Sequence, residues 1–279
     1  MINSLNSATL IPTILNRKAK QLANLEFIFT ELATRVTERL NYIKLNPQVI
    51  LECGSGLGYD NKLLANRYPD AEIYAVDYAL EILKQQLPKH SLINKLFRTK
   101  QNKLKLINAD AQNLPFANQT IDFCYSNLML PYLANLNQFI REMRRVLRLG
   151  GGFCLTGLGV DSFKEIRELG LMSYNFPDMH DIGDILLNAG FTNPVVDTEY
   201  ITIEYDSLAT LLNEIRLIGC GGAYPQLISS TLTKTKFKQL QQKFAQPTKL
   251  TLELFVAHGW KDSNHLDLPK GQQAIQFHR

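Results

Sequence analysis

Cysteine is scarce in this chain, and its placement rules out two kinds of framework. Cys53, Cys124, Cys154 and Cys220 are scattered over 279 residues with no CxxC pair, so neither a zinc ribbon nor a disulfide scaffold is expected. The first three fall in apolar stretches that read as strands, which suits small buried hydrophobes in a reducing compartment. The five histidines show no ligand spacing, and no metal site is expected. No run of about eighteen apolar residues occurs, and Met1-Ile2-Asn3-Ser4-Leu5-Asn6 has neither a basic flank nor a long apolar region. Membrane spans and leaders are therefore not expected, and the expected location is the cytoplasm. Fixed-period repeats and low-complexity tracts are missing too, which removes solenoid architectures. Charge is nearly balanced at +4, too mild to call for nucleic acid, though a basic face toward an acidic protein partner stays open. Oligomeric state is left open.

What is present is ordinary globular material, 45% hydrophobic and 20% charged, enough for one core with a small appendage. Apolar residues at helical spacing, Leu25, Phe29, Leu32, Val36 and Leu40, predict an amphipathic helix over 22–42. From there strands and helices alternate. Strands are expected at 48–53, 72–77, 103–108, 121–126 and 152–158, and helices at 59–68, 79–87 and 136–147. Strands separated by helices of this length imply right-handed crossovers and a parallel sheet, an α/β doubly wound core. After Gly159 the pattern shifts to helices at 161–169 and 179–189 and two long strands at 195–205 and 250–258. Between those two strands, 208–218 and 232–244 have helical period. The two strands are expected side by side at one edge, the second antiparallel to its neighbours. The expected fold is thus a mostly parallel sheet of about seven strands with helices on both faces, an antiparallel edge strand, and a helical insertion at about 206–247 over the sheet's carboxyl end. The expected organisation is an N-terminal helical segment, 1–45, over the site, followed by one domain, 46–279.

Chemistry concentrates at strand ends. Glu52-Cys53-Gly54-Ser55-Gly56-Leu57-Gly58 follows a buried strand directly, where Gly54, Gly56 and Gly58 allow close approach of a ligand to the backbone. Asp77 ends the second strand, placed to accept hydrogen bonds from ribose hydroxyls; the alternative is a cap for the helix that follows. Asp110 follows the third strand at the same edge. Dinucleotide folds want G-x-G-x-x-G, and here the third glycine comes only two places after the second, which weakens a nicotinamide reading.

The stretch Val49-Ile50-Leu51-Glu52-Cys53-Gly54-Ser55-Gly56-Leu57-Gly58 resembles motif I of the S-adenosylmethionine-dependent methyltransferases, with Glu52 as the acid before the glycines. Asp110-Ala111-Gln112-Asn113-Leu114-Pro115-Phe116, with Ile121-Asp122-Phe123 after it, is similar to a second motif of that family. Arg144-Arg145-Val146-Leu147-Arg148-Leu149-Gly150-Gly151 resembles the turn before its fifth strand, with Leu149 in place of proline. The resemblance implies a Rossmann-like fold, S-adenosyl-L-methionine as cofactor, the glycine loop along its methionine part, Asp77 on the ribose, and Asp110 with Ala111 at the adenine. Ser55, Tyr78 and Asn127 complete the implied cofactor set.

Within that superfamily, Tyr125-Ser126-Asn127-Leu128-Met129-Leu130, Thr156-Gly157-Leu158-Gly159 and the run from Asp178 to Phe191 most resemble the malonyl-carrier-protein O-methyltransferases of biotin synthesis. This implies an acyl carrier protein as partner, with a small-molecule acceptor as the alternative. The chain departs from that group at Leu22, where an aromatic residue is usual, at Leu57 in the glycine turn, and at Pro131-Tyr132. Those departures keep a second reading in play, a methyltransferase-like binding or assembly protein. A malonyl carboxylate is ionised at neutral pH and needs no base, so the expected aid is positioning. Arg167 is the candidate grip on it, with Lys164 weaker, and His180 and Tyr132 are further candidates. For Arg167 the alternative is a solvated helix face, and for His180 a role beside Asp178 in capping a helix. The basic runs 84–105 and Arg141, Arg144, Arg145 and Arg148 read first as solvated faces.

Overall fold

A computed structural model describes residues 4–87, 103–168, 170–171, 175–218, 234–243 and 248–262. Cys220, His90, His265, His278 and the lysines and arginine between 88 and 102 lie outside the described residues.

The chain begins with two helices, α1 (Ser4–Leu22) and α2 (Glu26–Arg39), joined by a single 3-10 turn at Ala23–Leu25. One apolar stripe runs through both: Ile11, Leu15, Leu22, Leu25, Leu32 and Val36 are all buried, at the three- and four-residue steps of a helix face. The helix expected over 22–42 is therefore α2 with the turns flanking it, and α1 is an addition. Pro12 stands inside α1, and a proline in a helical pattern reads as a break.

The sheet follows the expected alternation. Its strands are β1 (Val49–Cys53), β2 (Glu72–Asp77), β3 (Leu104–Asn108), β4 (Ile121–Ser126), β5 (Leu147–Leu158), β6 (Thr192–Tyr205) and β7 (Thr248–Trp260). They lie in the order β3-β2-β1-β4-β5-β7-β6. β1 to β5 pair in parallel, whereas β7 runs antiparallel to both β5 and β6. The two long strands do lie side by side at one edge, with β6 as the rim. Central strands are buried on both faces, as Ile50, Leu51, Phe123 and Tyr125 show, the mark of a parallel sheet covered by helices.

The helices between strands are α3 (Tyr59–Arg67), α4 (Leu80–Leu83), α5 (Leu136–Val146), α6 (Lys164–Glu168), α7 (Met179–Asn188), α8 (Leu208–Ile218) and α9 (Lys234–Lys243). α5 buries Phe139, Ile140, Met143 and Val146 and starts at Asn135, whose side chain accepts from Gln138 N at 3.0 Å. α4 is one turn followed by a 3-10 turn, shorter than the helix expected over 79–87. Arg35 and Arg39 bind Glu199, and Arg39 also binds Asp197, which pins α2 against β6. α1 packs against α4, and Asn16 Oδ1 accepts from Glu81 N at 2.9 Å. Leu15 and Leu22 of α1 and Phe29 of α2 line the same cleft as the glycine turn. Among the described residues no helix is long and apolar enough to cross a membrane.

Candidate active site

A cleft opens where β1 and β4 diverge, the point at which the strand order reverses and open α/β sheets receive ligands. Its floor is the glycine turn. Gly54, Gly56 and Gly58 all have positive φ, at 74°, 53° and 80°, and a side chain at Gly54 would put its Cβ 2.7 Å from Met129 Cγ. Only glycine fits there, for backbone and for space. The turn is tied to β2 by Gly54 N and Ser55 N, which donate to Val76 O at 2.8 and 3.0 Å. Gln86, after α4, closes it from outside: its Nε2 donates to Ser55 Oγ at 3.0 Å and to Gly56 O at 2.7 Å.

The strand ends bring the expected acids together. Asp77 is buried and lines the cleft, with Oδ2 accepting from Gly56 N at 3.0 Å and Oδ1 from Ala79 N at 2.8 Å. It is not the cap of α4, which is Ala79. It braces the glycine turn, and an ionised carboxylate with about four acceptor positions keeps capacity for further donors. Burial raises its carboxyl despite those backbone bonds. Asp110 lines the same wall with Ala109 and Ala111, its Oδ1 accepting from Gln112 N at 2.8 Å. Tyr78 also lines the cleft, its hydroxyl 3.4 Å from Tyr132 O.

Glu52 sits behind the turn, 2% exposed, with Oε2 unpartnered. Desolvation, with Asp60 and Asp77 close by, pushes its carboxyl well above the usual range. Ser126 Oγ, at the end of the neighbouring β4, is likewise buried without a partner. Asn61 Oδ1, Arg167 Nε and Tyr205 OH are further buried atoms without a partner, and none of these five residues is on the cleft wall. The lining itself, with the glycine turn, Asp77 and Asp110 at successive strand ends, fits a nucleoside carrying an amino acid.

Asp60 is the residue that sequence reasoning missed. It stands in the first turn of α3, where an acid is commonly read as answering the helix dipole. Its side chain instead accepts from Tyr125 OH at 2.5 Å and Asn127 Nδ2 at 3.1 Å. Asn127 Oδ1 in turn accepts from Thr156 Oγ1 at 2.6 Å, so α3, β4 and β5 are joined under the cleft. Burial is the main reason the Asp60 carboxyl is pushed up to about 6.

The opposite wall is apolar. Leu15, Leu22 and Phe29 come from α1 and α2, and Leu158, Phe163 and Phe176 from the stretch from Leu158 onward. Leu128 and Phe163 both have positive φ, 56° and 58°, a costly state for such side chains and common at functional clefts. The strain is held by bonds: Leu128 N donates to Thr156 Oγ1 at 3.1 Å and Phe163 N to Thr251 O at 2.7 Å.

Of the three substrate-positioning candidates only Tyr132 lines the cleft. Arg167 lies neither on the wall nor on a solvated face: its Nη2 donates to Val160 O at 2.6 Å and Ser162 O at 3.0 Å, which braces the Phe163 turn. His180 stands at the start of α7, where Asp178 Oδ1 accepts from its backbone N at 2.7 Å and lies 2.6 Å from its Nδ1. That is the capping arrangement, away from the cleft. Of the arginine row, Arg145 on α5 binds Glu142 and the carbonyls of Leu114 and Phe116, Arg148 at the start of β5 binds Asp122, and Arg141 is on the exposed face. Among the described residues no cluster of His, Cys, Asp and Glu could hold a metal ion.

Residues 51–155 match a methyltransferase domain family. The chain is 32% identical over 258 residues to a malonyl-[acyl-carrier protein] O-methyltransferase of Methylovorus sp., covering 88% of this chain and 86% of that one. A protein of the same name from Nitrosospira multiformis is 36% identical over 250 residues, covering 83% and 81%. Among solved structures, the fold is similar to a Haemonchus contortus phosphoethanolamine N-methyltransferase 2 in complex with S-adenosylhomocysteine, with TM-score 0.57, 16% identity, and 91% of this chain and 60% of that one covered. A SAM-dependent methyltransferase from Aquifex aeolicus gives TM-score 0.50 at 14% identity, covering 88% and 98%.

Proposed function

The chain belongs to the malonyl-[acyl-carrier protein] O-methyltransferases, and from that premise we propose that it methylates the free carboxylate of a malonyl group on an acyl carrier protein, using S-adenosyl-L-methionine, in biotin synthesis. The observation that carries the chemistry is the lining of the cleft: the glycine turn with Asp60, Asp77 and Asp110, and apolar residues from α1, α2 and the stretch from Leu158 onward, share one space.

The residues assigned to the cofactor are Glu52, Gly54, Ser55, Gly56, Gly58, Asp77, Tyr78, Asp110, Ala111 and Asn127. Their parts differ. Asp77 accepts the ribose hydroxyls, and Asp110 with Ala111 faces the adenine. Glu52 Oε2 takes an N–H of the amino group. Gly54 and Gly56 let the backbone come close, whereas Ser55 and Gly58 act through the shape of the turn, since Ser55 Oγ already accepts from Gln86.

When bound, the cofactor supplies an electrophilic methyl on a cationic sulfur. An acceptor carboxylate aligned with that methyl could receive it, with the electron pair of the carbon–sulfur bond left on sulfur. No proton moves, so the protein's work is alignment and exclusion of water. Among the described residues lining the cleft there is no Lys, Arg or His, so the carboxylate meets no competing cation there. Phe163, Phe176 and Leu158 keep water away, Arg167 holds the Phe163 turn in place, and Tyr132 is the lining residue assigned to orient the acceptor.

By this reading residues 1–45 are a roof over the site and 46–279 the methyltransferase domain with a helical insertion at about 206–247. The reaction is placed in the cytoplasm, in keeping with the free buried thiols of Cys53, Cys124 and Cys154. The test is transfer of labelled methyl from the cofactor to malonyl carrier protein. Label retained as a methyl ester is expected; clear cofactor binding with no transfer to that acceptor would overturn the substrate and leave the cofactor site standing.

A further inference from the structure

Three acids, Asp60, Asp77 and Asp110, line the cleft, a fourth, Glu52, is buried behind the glycine turn, and they are not equivalent. Asp77 and Asp110 each have an oxygen held by backbone N–H groups and stand at the ends of β2 and β3, out on one wing of the sheet. Glu52 is buried, and that burial, with Asp60 and Asp77 close by, pushes its carboxyl well above the usual range. Asp60, in the first turn of α3, lines the cleft, and among the described residues its side-chain partners are the neutral donors Tyr125 and Asn127. The titratable groups that face it are Glu52 from β1, Tyr125 from β4 and Cys154 from β5, none of them a cation.

We propose that Asp60 sets the preference of the cleft for the charged cofactor over its neutral product. Its carboxylate, fixed by Tyr125 and Asn127, is the counter-charge to the sulfonium, and that attraction disappears when the methyl group leaves. The product then loses part of its hold on the site that its precursor had, which favours exchange. Asp60 takes no part in the bonds that change; it is a specificity residue. The inference rests on the reading of this cleft as the S-adenosylmethionine site.

S-Adenosylmethionine and S-adenosylhomocysteine share nucleoside, amino and carboxylate groups and differ by one methyl and its charge. The ratio of their affinities therefore isolates the interaction with the sulfonium, and contributions from Glu52 at the amino group cancel. Calorimetric titration of both ligands into the full chain and into Asp60→Asn is the test. The variant should lose roughly tenfold in the ratio, the scale of one charge pair in a partly desolvated site, with S-adenosylhomocysteine affinity nearly unchanged. Equal weakening of both ligands would mean a structural role and would overturn the proposal. Tyr125→Phe, which keeps the charge, should hold the ratio within about twofold of wild type. Wild type supplies an arm that needs no variant: the carboxyl of Asp60 lies at about 6, so the ratio should fall as pH drops from 8 to 5. A ratio flat across that range counts against the proposal even if Asp60→Asn does not fold. Failure of wild type to bind either ligand would instead overturn the cofactor reading, and the proposal with it.

Discussion

The two ends of the parallel sheet use the same residue types in opposite ways. At the amino end every charge described above has a partner: Asp122 accepts from Gln48 N and Val49 N at 2.9 and 2.8 Å and binds Arg148, Lys105 binds Glu72, and Lys261 Nζ donates to Arg144 O and Leu147 O, each at 2.8 Å. At the carboxyl end Glu52 and Asp77 are buried and Asp60 is half-buried, all three with carboxyls raised and, among the described residues, no cation shown to hold them. Paired ends hold a fold together. An end with buried, like-charged, partly orphaned acids costs stability until a ligand arrives, which is how binding sites commonly differ from cores.

The comparison can be broken most severely at the glycine turn. Gly54→Ala forces a Cβ onto a backbone at φ 74° and to within 2.7 Å of Met129. The expected outcome is a stability loss of about 2–4 kcal/mol and no measurable binding of S-adenosylhomocysteine. Wild-type affinity in the variant would mean that the turn is not the floor of the site.

Next in size is Asp77→Ala. Unpaired ribose hydroxyls and a released Gly56 N should weaken S-adenosylhomocysteine by roughly 1–3 kcal/mol, read by calorimetry, with a smaller drop in stability. A variant that loses stability and keeps its affinity would make Asp77 a brace for the turn and nothing more.

The sharpest contrast pits Asp60→Asn against Asp122→Asn, because the two should move unfolding free energy in opposite directions. The Asp60 carboxyl is raised in the folded protein, from 3.8 to about 6, so the folded state binds more protons than the unfolded state between those values. Its contribution is therefore present below about pH 4 and lost as pH rises through 6. At pH 8 Asp60→Asn should stabilise the ligand-free protein, on the order of 1 kcal/mol, and at pH 4 it should change little. Asp122→Asn should destabilise by about 1 kcal/mol at pH 8 through weakened bonds to Arg148 and the β1 backbone, with cofactor affinity untouched. Urea unfolding at the two pH values checks both; matching signs at pH 8 would erase the distinction between the two ends.

Much of the fold was legible in the sequence because its signals are local. The five parallel strands are short, mostly apolar segments bounded by turn residues, and α5 and α7 carry their own caps at Asn135 and Asp178. α1 was expected only as part of a helical segment over 1–45, without bounds of its own; Pro12 stands inside it, and its stripe has meaning only as a continuation of α2. In the site, Gly54, Asp77 and Asp110 were readable as strand-end residues. Arg167 and His180 were singled out for their charge and chemistry; His180 joins Asp178 at a helix start, and Arg167 braces a turn through Nη2 while its Nε is buried without a partner.

By itself the sequence determined the order of the elements, the antiparallel return of β7, the glycine turn and the acids at the ends of β2 and β3. Periodicity, backbone freedom and turn chemistry act over a few residues and can be read without the rest of the chain. Only the tertiary structure decided which acids share one desolvated space. Asp60 is eight residues from Glu52 and sixty-five from Tyr125, and packing alone brings the three together, strips them of water and leaves them without a cation.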